Sequence, residues 1–390
     1  MALTVWFSAS AVVPALRTEW GISTAAAVWM TASVQVGFVV GAVGSTLANL
    51  ADRTQPHALL AASASVAAGC TAAMALAADG LHAAIPLRFL TGVALAGVYP
   101  IGLKLMASWS PPADRGRAFG ALIGSLTLGS ALPHLIGGLT ALPWRSVMLA
   151  AAAVTAAGAV VAATWVRPGP LLNTGRLVPH PGYALRMFTE RGPRLANLGY
   201  FGHMWELYAL WTWLPTFLIA SHTTRSGAGP SVAMLGFTVF LAIGVAGVAG
   251  CLLGGWAADR FGRPPAAVTA MVVSGICCLL SPLIFNAAPG WTLAVLMVWG
   301  ASVIADSGVF STALSEAADP RYVGTALTAQ TAVGFLLTVV TIQIVPLAAD
   351  LVGWQYAFLV LAPGPLAGAL AMRALGRRPG VTARPVRMEI

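Results

Sequence analysis

Apolar runs of twenty or more residues follow one another almost from the first residue to the last, separated by short loops. A helix needs about 20 mostly apolar residues to cross a hydrocarbon layer of roughly 30 Å. Only 8% of the 390 residues are charged and 58% are hydrophobic, whereas a soluble domain carries roughly a quarter charged residues. No water-soluble fold hides that much apolar surface. The sequence therefore predicts an all-α membrane protein whose solvent is the lipid bilayer.

With Pro, Gly and charge as punctuation, the sequence predicts helices near 1–17, 25–48, 58–78, 83–108, 118–140 and 146–166, then near 197–221, 231–256, 265–286, 291–315, 323–347 and 355–375. The one long polar stretch, Arg167 to Arg194, is rich in Pro, Gly and Arg and reads as a linker. The expected plan is a six-helix bundle over 1–167, a cytoplasmic linker over 168–196, a second six-helix bundle over 197–376 and a basic cytoplasmic tail over 377–390. The first apolar segment has no basic leader and runs into further spans, so it is not read as a cleavable signal. Its shortness favours a start codon placed late.

The net charge of +9 is spread over short loops rather than gathered in one patch, which argues for topology and against a nucleic-acid partner. Alternate loops hold 17 Lys and Arg on one side against Arg17, Arg145 and Arg225 on the other, with Arg88 left inside a span. By the positive-inside rule both termini are expected in the cytoplasm, and the chain in the inner membrane with lipid as its partner. Cys70, Cys251, Cys277 and Cys278 all lie in apolar runs, with no metal-ligand spacing. No phosphate-binding loop of the Gly-x4-Gly-Lys type occurs. Neither a cofactor nor a metal is expected, and the chain is not read as an enzyme.

The two halves repeat. Ala51-Asp52-Arg53 after the second helix returns as Ala258-Asp259-Arg260 after the eighth, an offset of 207; Arg115 returns as Arg321 and Trp144 as Trp354, at 206 and 210. Parallel halves related by an axis along the membrane normal are a known transporter plan, with the substrate near the midplane between them.

The loop Gly255-Trp256-Ala257-Ala258-Asp259-Arg260-Phe261-Gly262-Arg263 closely resembles the G-x-x-x-D-R-x-G-R signature of the major facilitator superfamily. The resemblance implies twelve transmembrane helices in two pseudo-symmetric six-helix bundles, with Asp259, Arg260 and Arg263 latching one conformation. The first-half copy keeps Asp52 and Arg53 but has Ala48, Gln55 and Pro56 where Gly, Gly and Arg are expected. Arg88-Phe89-Leu90-Thr91-Gly92 is similar to the family's R-x-x-x-G motif of the fourth helix. Gly120, Gly129, Gly137 and Gly138 keep the spacing of its antiporter motif, but Pro133 and His134 replace the Gly-Pro pair.

An ionisable group at the bilayer centre costs roughly 2.5–3.5 kcal/mol on insertion scales, which makes Arg88, His134, His203, Glu206 and Asp306 the candidates. The resemblance implies that the first, fourth, seventh and tenth helices line the cavity, and four of these five groups fall there. His203 and Glu206, one turn apart, read either as a shared proton site or as a buried polar clasp. Arg88 has no acid on its own helix, so it meets an anionic substrate or an acid such as Glu206 or Asp306 from elsewhere. Asp306 maps at offset 207 onto Tyr99, beside Pro100, and reads equally as a cavity site or a gate. His134 reads more readily as a packed histidine than as a ligand. Trp6, Trp205, Tyr208, Trp211 and Trp213 line a cavity or serve packing and interface anchoring.

The expectation is a secondary transporter of a small solute, an organic anion in the leading version, working by alternating access with protons as partners and as a monomer. Export of lipophilic or cationic compounds against protons is the alternative, and a cation sits poorly beside Arg88. The resemblance argues against nitrate or nitrite, since that branch places arginines in the second and eighth helices and neither holds one here. A non-transporting receptor or scaffold would call for an added soluble domain or a long structured loop, and the sequence shows neither.

Overall fold

The computed structural model describes residues 4–6, 8–48, 50–140, 142–172, 183–319 and 322–377. Twelve long helical segments account for nearly all of them. In the first half these are α1 (Ser8–Trp20), α2 (Thr24–Leu47), α3 (Pro56–Ala77), α4 (Leu81–Trp109), α5 (Arg115–Thr140) and α6 (Trp144–Thr164). In the second half they are α7 (Arg191–Ser226), α8 (Val232–Phe261), α9 (Arg263–Phe285), α10 (Pro289–Ala317), α11 (Val323–Val352) and α12 (Trp354–Gly376). Among the described residues, ten of these are long and apolar enough to cross a membrane by length and composition. The other two are the short α1 and the 36-residue α7, whose first turns carry Arg191 and Arg194.

Most boundaries fall within a few residues of expectation, and the first and seventh helices depart further. The first helix begins at Ser8 and ends at Trp20, three residues beyond the expected 17. The seventh starts at Arg191 rather than 197, because a helix runs on into polar sequence where hydropathy marks only its apolar part. Helix ends follow local chemistry: Ser23 and Ser231 accept the amides of Ala26 and Met234 as N-caps. The long α7 stops at Gly227, whose φ of 73° is the left-handed conformation that closes helices.

Two helices break, at equivalent places. α4 divides into Leu81–Leu95 and Tyr99–Trp109, and α10 into Pro289–Ala305 and Ser307–Ala317 with Asp306 between. Tyr99 and Asp306, paired by the sequence repeat, both stand at these breaks. α8 carries a π-helical turn over Phe240–Val245, a feature frequent at functional sites.

Glycine brings backbones together in the same way in both halves. A side chain on Gly92 of α4 would collide with the Val34 carbonyl of α2, and one on Gly300 of α10 with the Ala242 carbonyl of α8. Each residue of the second pair lies 208 positions after its counterpart in the first. Without a hydrophobic drive inside lipid, such close backbone approach supplies the packing that joins helices. Between the bundles, α5 lies along α8 and α2 along α11.

Candidate functional site

The seam between the bundles gathers aromatic rings from three helices and the turn ahead of α1. Trp6, just ahead of α1, lies 5.2 Å from Phe38 of α2, 4.8 Å from Phe335 of α11 and 6.0 Å from Tyr208 of α7, centroid to centroid. Phe38 and Phe335 meet at 4.4 Å, and Tyr208 and Phe335 at 4.9 Å. Trp6 and Tyr208 are thus brought together, while Trp205 and Trp213 serve packing by donating to the Val360 and Ile342 carbonyls.

Arg88 is attached to this cluster from behind. Its guanidinium is fully buried and donates to three backbone carbonyls: Nη1 to Val5 at 2.8 Å, Nη2 to Trp6 at 2.5 Å and Nε to Met30 at 3.2 Å. Neither Glu206 nor Asp306 reaches it, and among the described residues no carboxylate pairs with it. A turn at residues 4–6, rather than helix, leaves the Val5 and Trp6 carbonyls available.

Among the described residues several buried polar atoms have no hydrogen-bond partner: Trp6 Nε1, both amide atoms of Gln35 one turn before Phe38, the Gln330 Oε1 of α11, and His203 Nε2. Leaving a buried polar atom unmatched costs about 1–3 kcal/mol, and such groups in a native fold mark strain, a functional role or an absent solvent or ligand partner. Gln35 and Gln330 carry no formal charge, so the cost of placing an ion in the bilayer does not single them out in the sequence. A count of uncharged amides within spans would have found them.

The acids divide differently from expectation. His203 Nδ1 stands 2.8 Å from Asp306 Oδ1, a close pair without well-aligned hydrogen-bond geometry. Glu206, three residues on, turns inside the second bundle instead, where its Oε1 accepts from Trp299 Nε1 (2.5 Å), Ser274 Oγ (2.6 Å) and Cys278 Sγ (3.1 Å). His203 and Glu206 therefore do not share a proton directly in this conformation. Three residues advance roughly 300° around a helix, enough to send one side chain to the break in α10 and the other to α9. Tyr99 lies within hydrogen-bonding reach of Ser307 and Ser311, just past that break and in the opposite bundle. His134 is buried in α5.

At the arginine-rich end, Asp259 holds the bundles together. Its Oδ1 and Oδ2 accept the amides of Gly116 (3.0 Å) and Arg117 (2.8 Å) in the first turn of α5, where the helix dipole favours a negative charge. Arg263 donates to Asp259 at 2.7 Å and to Glu316 at 2.8 Å. Gly255 permits the approach, since any side chain there would strike the Gly116 carbonyl. Gly262 turns the chain into α9 at a φ of 95°. Arg260 stands apart over the Phe261 ring, 6.0 Å from its centroid. In the first-half copy Arg53 is exposed at the end of the short helix Leu50–Arg53, the Asp52 side chain lies outside the described residues, and so does Arg321. Glu316 and the α5 amides were missed in the sequence, because backbone amides and a lone glutamate near a loop carry no motif.

The sequence and the fold have counterparts in known proteins. A family model described as Major Facilitator Superfamily matches residues 1–342 and 196–389. The chain is 26% identical over 301 residues to the gallate transporter of Pseudomonas putida, covering 68% of this chain and 64% of that one. It is 25% identical over 323 residues to the niacin transporter NiaP of Acinetobacter baylyi, covering 74% and 70%. The match thus spans less than two thirds of the gallate transporter's length. In fold the chain is similar to the proton:xylose symporter XylE, with a TM-score of 0.74 at 15% identity over 96% of this chain and 93% of that one.

Proposed function

This chain belongs to the major facilitator superfamily, and from that premise we propose that it is a secondary transporter for a small aromatic carboxylate, driven by protons. The observation that carries the reading is Arg88. A charged guanidinium held, among the described residues, by backbone carbonyls alone leaves its region of the protein with a positive charge that no described carboxylate cancels. Burying an ion without a countercharge costs several kcal/mol, and an anionic substrate lowers that cost whenever it is bound.

The aromatic part of the proposal rests on Trp6, which joins the Arg88 site to the Phe38, Tyr208 and Phe335 rings. A flat ring stacks there, and its polar substituents find the unmatched Gln35 and Trp6 groups. Gallate and niacin, carried by the named relatives, are both aromatic acids. Lipophilic cations would use the rings as well, but they would be repelled by Arg88.

In the proposed cycle, substrate binds at the seam while the arginine-rich end is held shut by Asp259, and the bundles then rock to open that end. His203 and Asp306 carry the proton, and Glu206 clasps α7 to α9 and α10. The protein works as a monomer in the inner membrane, with its termini and the arginine-rich end in the cytoplasm.

Uptake of labelled benzoate-type acids into proteoliposomes tests this reading, with an imposed proton gradient and with competition by aliphatic carboxylates and by lipophilic cations. Aromatic acids should compete best, and only an inward proton gradient should drive accumulation. Competition by cations alone would replace the reading with export.

A further inference from the structure

The segment Ser307–Ala317, the second half of α10, joins the buried histidine–acid pair to the latch at the arginine-rich end. At its start stands Asp306, paired with His203 at 2.8 Å. Its first turns touch the other bundle: Ser307 and Ser311 reach the Tyr99 hydroxyl, and Gly308 packs beside Phe119 and Gly120 of α5. In its last turn Glu316 holds Arg263 at 2.8 Å, Arg263 holds Asp259 at 2.7 Å, and Asp259 holds the Gly116 and Arg117 amides. Eleven helical residues span about 16 Å as one stiff rod. A pocket of about 850 Å³, lined in part by Glu190, Arg263, Ala313, Glu316 and Ala317, flanks the far end of the rod and gives it space to move.

We infer that Ser307–Ala317 is the element that couples the proton site to the gate: loss of the His203–Asp306 pair displaces the half-helix and, through Glu316 and Arg263, releases Asp259 from α5. The inference rests on the proposed role of that pair in proton coupling. A packed half-helix bounded by a break moves between discrete positions rather than deforming gradually, so a small change at Asp306 arrives at Glu316 undiminished.

The groups around Asp306 make it the point of control. From α7 it meets His203 and, at longer range, Glu206, with Tyr200 beside the His203 ring. From α8 comes Cys251, and from α9 Cys277 and Cys278, which surround Glu206. From α4 comes Tyr99. Opposite it, α5 presents Phe119, Gly120 and Ile123, none of which titrates. The carboxylate of α11, Asp350, sits near that helix's far end.

Hydrogen exchange at the Gly116 and Arg117 amides reads the latch directly in the full-length protein in nanodiscs. Exchange there, corrected for its intrinsic pH dependence, should rise as pH falls, and Asp306→Asn should raise it about tenfold at neutral pH. In a Glu316→Gln background both responses should vanish between about pH 6 and 8, above the ordinary carboxylate range, leaving one exchange rate there with either residue at 306. Because Glu316 is at the surface end of the rod, this background does not depend on tolerating a buried substitution. If the pH response persists in Glu316→Gln, or the Asp306→Asn effect adds to that of Glu316→Gln, the inference falls. Proton-driven uptake is measured on the same wild-type preparation. Uptake without proton dependence overturns the proposed coupling, whereas proton-driven uptake with a persisting latch response overturns the half-helix alone.

Discussion

Asp259 and Arg117 belong to different bundles, yet the carboxylate of the first caps the helix that carries the second, accepting its amide at 2.8 Å. A helix cap made across a domain boundary is a contact that must break whenever the two bundles separate at this end. Losing a capping side chain costs about 0.5–2 kcal/mol. Asp259→Ala should therefore shift the balance toward the state open at the arginine-rich end by a few-fold to thirtyfold, and Asp259→Asn by less, since it keeps one oxygen acceptor. Distances between spin labels on the exposed residues Gln55 and Phe261 report the shift; an unchanged distribution in Asp259→Ala would show that the cap carries no weight.

Arg88 donates to three buried carbonyls at once, and although the Val5 carbonyl keeps the Ser8 hydroxyl, removing Arg88 takes a charged donor from all three. Arg88→Ala should lower stability by about 3 kcal/mol or more and abolish binding of carboxylates. Arg88→Lys keeps the charge but lacks the planar fork, so it should recover part of the stability and bind weakly. Thermal unfolding in detergent, with and without benzoate, separates the two effects.

Glu206 and Asp306 should part company in transport assays. Every bond that Glu206 Oε1 makes lies within one bundle, so Glu206→Gln should cost about 1–3 kcal/mol of stability while leaving proton-driven accumulation in place. Asp306→Asn should keep substrate exchange across the membrane and lose accumulation. The reverse pattern would move the proton site to Glu206.

Gly92 and Gly300 should respond alike to substitution. Gly92→Ala and Gly300→Ala each press a methyl group into a backbone carbonyl, and overpacking of this kind costs about 1–3 kcal/mol. Gly69 in α3 has open space beside it, so Gly69→Ala should be neutral or stabilising by up to about 1 kcal/mol through helix propensity. Melting temperatures of the three variants decide the matter.

Spans, repeat and superfamily were legible because each is written in residue type: apolar runs, a recurring Ala-Asp-Arg, and the loop ending in Gly262-Arg263. The repeat reached further than topology, since offset 207 paired Tyr99 with Asp306 and both stand at helix breaks. What could not be read was direction around a helix. α7 is apolar over most of its circumference, so no stripe marks which face meets the other bundle, and the opposite fates of His203 and Glu206 stayed hidden. Arg88 was expected to find an acid or a substrate, and its backbone acceptors were invisible because carbonyls carry no sequence signature. The contacts of the Asp259 latch escaped for the same reason.

The matched close approaches of Gly92 to Val34 and of Gly300 to Ala242 leave no slack between α2 and the Leu81–Leu95 half of α4 or between α8 and the Pro289–Ala305 half of α10. Each couple must travel as a single plank, and whatever motion carries a solute across has to happen between planks. Labels placed within one plank should keep their spacing throughout the cycle, so the protein contains its own fixed rulers, one in each half, against which every moving part can be measured.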